Sequence, residues 1–233
     1  MEKTYKHLGF FFIALLLLIT WGFYRTYLVQ FPDFKGFTTV HHLHGFVLLA
    51  WIVMLIVQPF LIRYGKVELH KKIGKLSYVL MPLVMISIFA VARTGYYRML
   101  PTAPPEAVIA ALGLNIPPIF AFGSLYTLAM IYKKTTAYHM RFMIGTSLLV
   151  IGPGLGRALI TYFGMPFDQA VDIVLYVADI IAALLLISDL IKRKAYQPYT
   201  IVLLIIVATH ICWQFRSSGW WQAFGKWFAG WAF

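Results

Sequence analysis

Residues 38–63 read TTVHHLHGFVLLAWIVMLIVQPFLIR and place three histidines directly before a long apolar run. The run 43–63 has no acidic or basic residue except His44 until it ends at Arg63. About 20 such residues in a helix cross the roughly 30 Å hydrocarbon core of a bilayer. The stretch therefore predicts a membrane-spanning helix, and it raises the question of whether His41, His42 and His44 are ligands or only lie at a hydrated helix end.

The composition of the whole chain is that of a membrane protein. Of 233 residues, 61% are hydrophobic and 12% are charged, whereas soluble domains have about 45–50% apolar and about 25% charged residues. Cys212 is the only cysteine, so the chain cannot form an intramolecular disulfide or a cysteine metal cluster. The net charge of +12 does not indicate nucleic-acid binding, because the basic residues lie in short connections between apolar runs.

Windows of about 19 residues predict an all-α polytopic bundle of seven transmembrane helices. We expect a single transmembrane domain over 1–215, followed by a tail over 216–233. The lipid bilayer is the expected partner, and the cytoplasmic (inner) membrane of a bacterium is the expected location. The predicted spans are 8–29, 43–63, 73–93, 107–132, 140–163, 168–191 and 199–215.

The distribution of the 20 lysines and arginines predicts the orientation. Thirteen of them flank one set of helix ends and seven flank the other, and the more basic side of a membrane protein is usually cytoplasmic. Lys3 and Lys6 belong to the larger set. The N-terminus is therefore expected inside, and the C-terminus and the three histidines of the opening stretch are expected outside.

The tail RSSGWWQAFGKWFAGWAF is too short to cross a bilayer. Its aromatic residues Trp220, Phe224, Trp227 and Trp231 recur at helical spacing. Indole rings favour the headgroup level of a membrane. The tail is therefore expected to be an interfacial amphipathic helix, acting either as a lipid anchor or as a docking surface for another subunit.

Acidic residues in the sixth predicted span are candidates for function, because ionisable side chains are costly inside a bilayer. The spacing of Asp168, Asp172 and Asp179 places all three on one helix face. Asp179 lies near the middle of the span. Arg157 and Asp172 fall at the same depth across a short hairpin, which predicts either a structural ion pair or an anion site at Arg157.

Histidines on the outer side allow a metal hypothesis. The i, i+3 spacing of His41 and His44 would direct both imidazoles the same way on a helix. With His210 and Asp172 they would form a zinc-like site. No HExxH motif or serine elbow accompanies them, so the sequence does not indicate a hydrolase and leaves open whether the chain is an enzyme.

Two hairpins on the inner side resemble each other. LIRYGKVELHKKIGKLSYVLMPL carries His70, and MIYKKTTAYHMRFMIGTSLLVIGPG carries His139. Each histidine is predicted at the inner start of an outward-running helix. The two are therefore expected at similar depth, where they can face each other.

The segment from His44 to about Arg157 resembles a group of uncharacterised predicted bacterial membrane proteins. Their pattern is a Q-P near the inner end of an apolar helix, then H-[KR]-x-[IL]-G, and later H-x-R-x-M. Here the pattern reads VQPFLIRYGKVELHKKIG and AYHMRFMIG. This resemblance covers about half the chain and implies no particular activity.

The segment HKKIG at His70 is also similar to the H-x-x-x-G of transmembrane di-heme cytochromes b. That resemblance implies haem b held by His70 and His139 on the inner side and by His44 on the outer side. Asn115 stands in the fourth predicted span, where a partner for His44 is expected. His210 would therefore have to be the fourth ligand.

Four functional hypotheses follow from these observations. The first is a haem b or quinone-linked membrane electron-transfer protein. The second is a non-catalytic accessory or scaffold subunit of a membrane complex. The others are a zinc-dependent enzyme at the outer face and a small-ion transporter that uses Asp179.

Overall fold

The computed structural model describes residues 7–233, and every regular element in that range is a helix. Residues 1–6, including Lys3 and Lys6 of the orientation argument, lie outside the described residues. A short 3₁₀ turn, Leu28–Gln30, follows the first helix. The α-helices are α1 (Leu8–Tyr24), α2 (Thr39–Arg63), α3 (Val67–Gly74), α4 (Ser77–Met99), α5 (Pro105–Ile131), α6 (Thr136–Phe163), α7 (Phe167–Ile191), α8 (Gln197–Gln214) and α9 (Gly219–Ala232).

Six of these helices, α2 and α4–α8, are long and apolar enough to cross a membrane. The prediction of an all-α integral membrane protein is therefore confirmed. Helix α1 is apolar but has 17 residues, which at about 1.5 Å per residue reach roughly 25 Å. It is shorter than the predicted span 8–29.

Two helix boundaries differ from prediction in ways that move histidines. Helix α2 begins at Thr39, because Thr38 and the His41 side chain form a capping box, so all three histidines of the opening stretch lie within the helix. Gly65 lies between α2 and α3 with φ +72°, a left-handed conformation that glycine adopts easily. The chain changes direction there, and α2 does not continue. His70 consequently lies on the separate connecting helix α3 and not at the start of the third span.

Helix α6 is the centre of the bundle and packs against α1, α5, α7 and α8. Small residues on α6 allow close approach. A Cβ added at Gly22 of α1 would lie 2.0 Å from the carbonyl oxygen of Gly154. The crossing of α1 and α6 therefore brings the two backbones together.

Helix α9 lies in the tail 216–233 and packs on α5. Its buried face carries Trp221 and Phe228, and the Trp221 indole donates to the carbonyl oxygen of Ile109 over 3.3 Å. Gly225 lies directly against Ile109, which would be 2.6 Å from a Cβ at that position. The opposite face is exposed.

Candidate functional sites

Helices α3 and α6 bring His70 and His139 together. The two imidazole ring centroids are 6.5 Å apart and the ring planes are nearly perpendicular, at 88°. His70 is on the connecting helix and His139 is in the first turn of α6, which follows the tight turn from α5. The structure thus brings together two histidines that were expected at similar depth, although His70 lies on α3 and not at the start of an outward-running helix.

Hydrogen bonds fix the orientation of both rings. His139 Nδ1 lies 2.8 Å from the Ala129 carbonyl oxygen, which can only accept, so Nδ1 carries a proton, and in the neutral ring Nε2 has a free lone pair. His70 Nδ1 accepts from the side-chain amide of Gln58 in the orientation that satisfies both amide atoms. In that orientation Gln58 also donates to the His70 carbonyl oxygen over 3.2 Å and accepts from the Gly74 amide over 3.2 Å.

No role was predicted for Gln58 from the sequence. Its only signal was the Q-P that belongs to the same recurring pattern as the two histidine motifs. The structure places three residues of that pattern, Gln58, His70 and His139, in one cluster at one end of the bundle.

The charges around this cluster favour neutral imidazole at His70. Burial lowers the pKa of His70 below its usual 6.5, the neighbouring His139 and Lys71 act in the same direction, and a hydrogen bond to the Gln58 backbone opposes them without reversing the shift. Lys71 itself is paired with Glu68 at 2.8 Å, and this hydrogen bond lowers the pKa of the Glu68 carboxyl. Neutral imidazole is the form that binds metal ions.

A second polar cluster joins α7 and α8. His210 Nδ1 lies 2.6 Å from Asp179 Oδ2, and the side chains are 9% and 19% exposed. His210 Nε2 accepts from the Gln214 amide at 3.1 Å, while the same nitrogen of Gln214 donates to Asp172 Oδ1 at 3.0 Å. Trp213 also donates to Asp172 Oδ1, at 2.9 Å.

The structure gives Arg157 and Asp172, the predicted ion pair, different partners. The Arg157 guanidinium lies 4.5 Å from the ring centre of Phe23 on α1. Asp172 is held by Trp213 and Gln214 of α8. The pair does not form because α6 directs Arg157 towards α1, whereas α7 presents Asp172 to α8.

The three histidines of the opening stretch have separate partners. His41 completes the cap of α2 by accepting from the Thr38 amide at 3.1 Å. His42 lies 2.6 Å from the Tyr27 hydroxyl. His44 Nδ1 lies 3.0 Å from Ser87 Oγ on α4.

The outer ligand sets predicted from the sequence are therefore not assembled. Helix α2, with His44, packs on α1, α3 and α4, whereas α8, with His210, packs on α5, α6 and α7. Within residues 7–233, no group of three or more His, Cys, Asp or Glu side chains is placed to hold a metal ion. Asn115 donates to the Ala111 carbonyl of its own helix over 2.8 Å.

A buried ion pair between α6 and α7 was not predicted. Arg141 Nε lies 2.5 Å from Asp189 Oδ2, and the two side chains are 0% and 1% exposed. Arg141 also donates to the Ala137 carbonyl at 2.9 Å. The sequence signal was the arginine of the H-x-R motif, which had been counted only among the basic residues of the inner side.

Taken together, the fold and these sites define a polytopic helical membrane protein with a paired-histidine cluster and an intramembrane acid–histidine cluster. No protein-family model matches the chain, and neither the curated proteins nor the solved structures contain a significant match.

Proposed function

We propose that the chain is a membrane electron-transfer protein that binds haem b between His70 and His139. The observation that carries this proposal is the 6.5 Å separation of the two ring centroids. Bonds from a metal to an imidazole nitrogen are about 2 Å long, so two rings that share one metal ion have centroids roughly 6 Å apart. Two neutral imidazoles are a donor set that suits haem iron.

The partners of the two rings support this assignment. A ligating histidine usually donates its second ring proton to a carbonyl, which sets the tautomer and the ring orientation. His139 already does so through Ala129. Gln58 has both a donor and an acceptor, so after its amide turns its oxygen can accept a hydrogen bond from His70 Nδ1–H, and Nε2 then has its lone pair free for ligation.

Positive charge at this end of the bundle suits an anionic group. Lys72 and Lys75 are exposed and close in sequence to His70, and Lys133 donates to the Tyr78 hydroxyl over 3.1 Å. Haem b, when bound, supplies one-electron chemistry at iron. The electron donor or acceptor is proposed to be a membrane quinone or another membrane subunit.

The test is the visible spectrum of the protein purified in mild detergent, recorded oxidised and after dithionite, with metal analysis of the same sample. We expect a Soret band and reduced α-bands at about one haem per chain. His70→Ala and His139→Ala should each abolish the bands. His42→Ala is the matched control, because His42 bonds to Tyr27 in another part of the fold, and it should keep them.

Two outcomes would overturn the haem assignment. A colourless wild-type protein that also fails to take up added haem contradicts it, whether or not another metal is bound. Equal loss of colour in His42→Ala and His139→Ala also contradicts it, because the ligands would then not be specific to this cluster.

The topology is part of the same proposal. We infer seven spans including the 17-residue α1, with the N-terminus inside, the C-terminus outside, and α9 at the outer interface of a bacterial inner membrane. Reporter fusions test this topology. A periplasm-active phosphatase fused after Phe233 should be active, and one fused at Lys194, between α7 and α8, should be inactive; the reverse pattern contradicts the orientation.

A second candidate function, as an accessory subunit of a membrane complex, is favoured by the exposed face of α9. Trp227 and Trp231 stack with centroids 6.3 Å apart and are 64% and 77% exposed. A photo-crosslinking residue placed at Trp227 tests this function. Stoichiometric crosslinks to one protein would support a subunit role, and crosslinks to lipid alone would support a membrane anchor.

A further inference from the structure

Helix α7 carries four aspartates, and Asp179 differs from the others in its partner. Arginine keeps its proton at any ordinary pH, and tryptophan and glutamine do not titrate. Histidine can gain or lose a proton near neutrality. The four aspartates and their partners are Asp168 with Arg216, Asp172 with Trp213 and Gln214, Asp179 with His210, and Asp189 with Arg141.

The hydrogen bonds of His210 define its proton position. Nε2 accepts from the Gln214 amide at 3.1 Å, so Nε2 carries no proton in this arrangement. Nδ1 is then the protonated nitrogen and donates to Asp179 Oδ2. Within residues 7–233, the other carboxylate oxygen of Asp179, Oδ1, is buried and has no hydrogen-bond partner.

Gln214 responds to the proton state of His210. Its amide nitrogen serves two acceptors, His210 Nε2 and Asp172 Oδ1. If His210 takes a proton at Nε2, that nitrogen becomes a donor and can no longer accept from Gln214. The amide must then turn so that its oxygen faces His210, which moves its N–H groups away from Asp172.

We propose that Asp179 and His210 form a proton-binding site in the membrane and that Gln214 couples its occupancy to Asp172. In this step a proton from the aqueous phase bonds to His210 Nε2, no electron is transferred, and the charge of the cluster rises by one. The Gln214–Asp172 hydrogen bond is exchanged for a His210–Gln214 bond of opposite direction, while Trp213 continues to hold Asp172.

The placement of the four residues suits exchange with one side of the membrane. Gln214 is exposed and is the last residue of α8, whereas Asp172 is half-buried in the second turn of α7. Asp179 lies seven residues further along α7, or about 10 Å at 1.5 Å per residue. The cluster therefore extends from an exposed helix end to the middle of the span.

Few other charged and titratable groups lie on the helices that pack around the cluster. Tyr176 packs its ring against His210, with centroids 4.6 Å apart. On α6, which packs on both helices, Arg157 lies over Phe23. On α5, which packs on α8, the one charged side chain is that of Glu106 in the first turn. The remaining groups at this end of α7 and α8 are the Asp168–Arg216 pair, at 3.5 Å, and Cys212.

The test is a pH titration of ¹⁵N-histidine-labelled protein in phosphatidylcholine nanodiscs, with the His210 signals assigned by their loss in His210→Gln. We expect the two ring nitrogens to report a Nδ1–H tautomer at high pH and an imidazolium at low pH. Asp172→Asn should move the midpoint by about half a pH unit or more, roughly threefold in proton affinity.

Gln214→Met separates the proposed coupling from simple electrostatics. The substitution changes no charge and removes only the amide, at an exposed helix end. In this background the effect of Asp172→Asn on the His210 midpoint should disappear. If Asp172→Asn moves the His210 midpoint equally with and without Gln214→Met, Asp172 acts through its charge alone and the coupling is overturned. If His210 keeps one protonation state between pH 4.5 and 9, the proton site itself is overturned. Neither result depends on whether haem is bound.

Discussion

The guanidinium of Arg141 and the carboxylate of Asp189 form an ion pair that is 0% and 1% exposed between α6 and α7. Removal of one partner leaves an uncompensated charge in a medium that solvates it poorly. Replacement of both partners by apolar residues removes that cost. We therefore expect the loss of one partner to destabilise the fold, whereas the loss of both partners together should not.

This relationship predicts a large and non-additive effect of mutation on stability. Arg141→Met and Asp189→Leu should each lower the unfolding free energy by about 3–5 kcal/mol, measured by denaturant unfolding in detergent. The double variant should recover most of the loss. If the two single losses simply add in the double variant, the ion pair does not have the proposed role.

The exposed pair of Lys71 and Glu68 provides the control. Both side chains are well exposed, at 62% and 88%, and exposed pairs contribute little because water and salt screen them. Lys71→Met should leave the unfolding midpoint nearly unchanged. A loss as large as that of Arg141→Met would show that any lost cation destabilises this protein.

The sequence predicted the fold class well, because hydropathy depends on composition along a helix and hardly on rotation about its axis. His70 and His139 were expected at similar depth from helix direction, but His70 lies on the connecting helix α3 and not at the start of an outward-running span. The Arg141–Asp189 pair was not predicted, because it depends on which face each helix presents across 48 residues of sequence. The role of Gln58 was not predicted either, because its contacts to His70 and Gly74 depend on the separate helix α3, which the predicted third span 73–93 does not include.

Close contact between α1 and α6 predicts that Gly22 does not tolerate a side chain. A Cβ at Gly22 would lie 2.0 Å from the Gly154 carbonyl oxygen, which is backbone and cannot rotate away. Gly22→Ala should therefore lower stability by about 1–3 kcal/mol as the helices separate. Gly45→Ala is the matched control, since nothing lies within 4 Å of its Cβ position, and it should be neutral or slightly stabilising.

The packing of α9 on α5 predicts a similar contrast within one helix. A side chain at Gly225 must displace Ile109, whereas a side chain at Gly230 meets nothing within 4 Å. Gly225→Leu should increase hydrogen exchange of the α9 backbone amides about tenfold or more, which corresponds to about 1.4 kcal/mol of lost docking. Gly230→Leu should leave exchange unchanged. Equal exchange in the two variants would mean that α9 is not docked through its Gly225 face.

The environment of His70 predicts a pH dependence of stability. Because burial and neighbouring positive charge lower the pKa of His70 in the folded protein below its usual 6.5, the unfolded chain binds more protons than the folded one in that range. The stability that neutral His70 contributes is present above about pH 6.5 and is lost as pH falls towards the lowered pKa. His70→Gln should reduce this loss, measured as the change in unfolding midpoint between pH 7.5 and 5, whereas Lys72→Gln should keep the wild-type slope because it retains the imidazole. A slope that is the same in wild type and His70→Gln would contradict the lowered pKa and the burial of the ring on which the histidine pair depends.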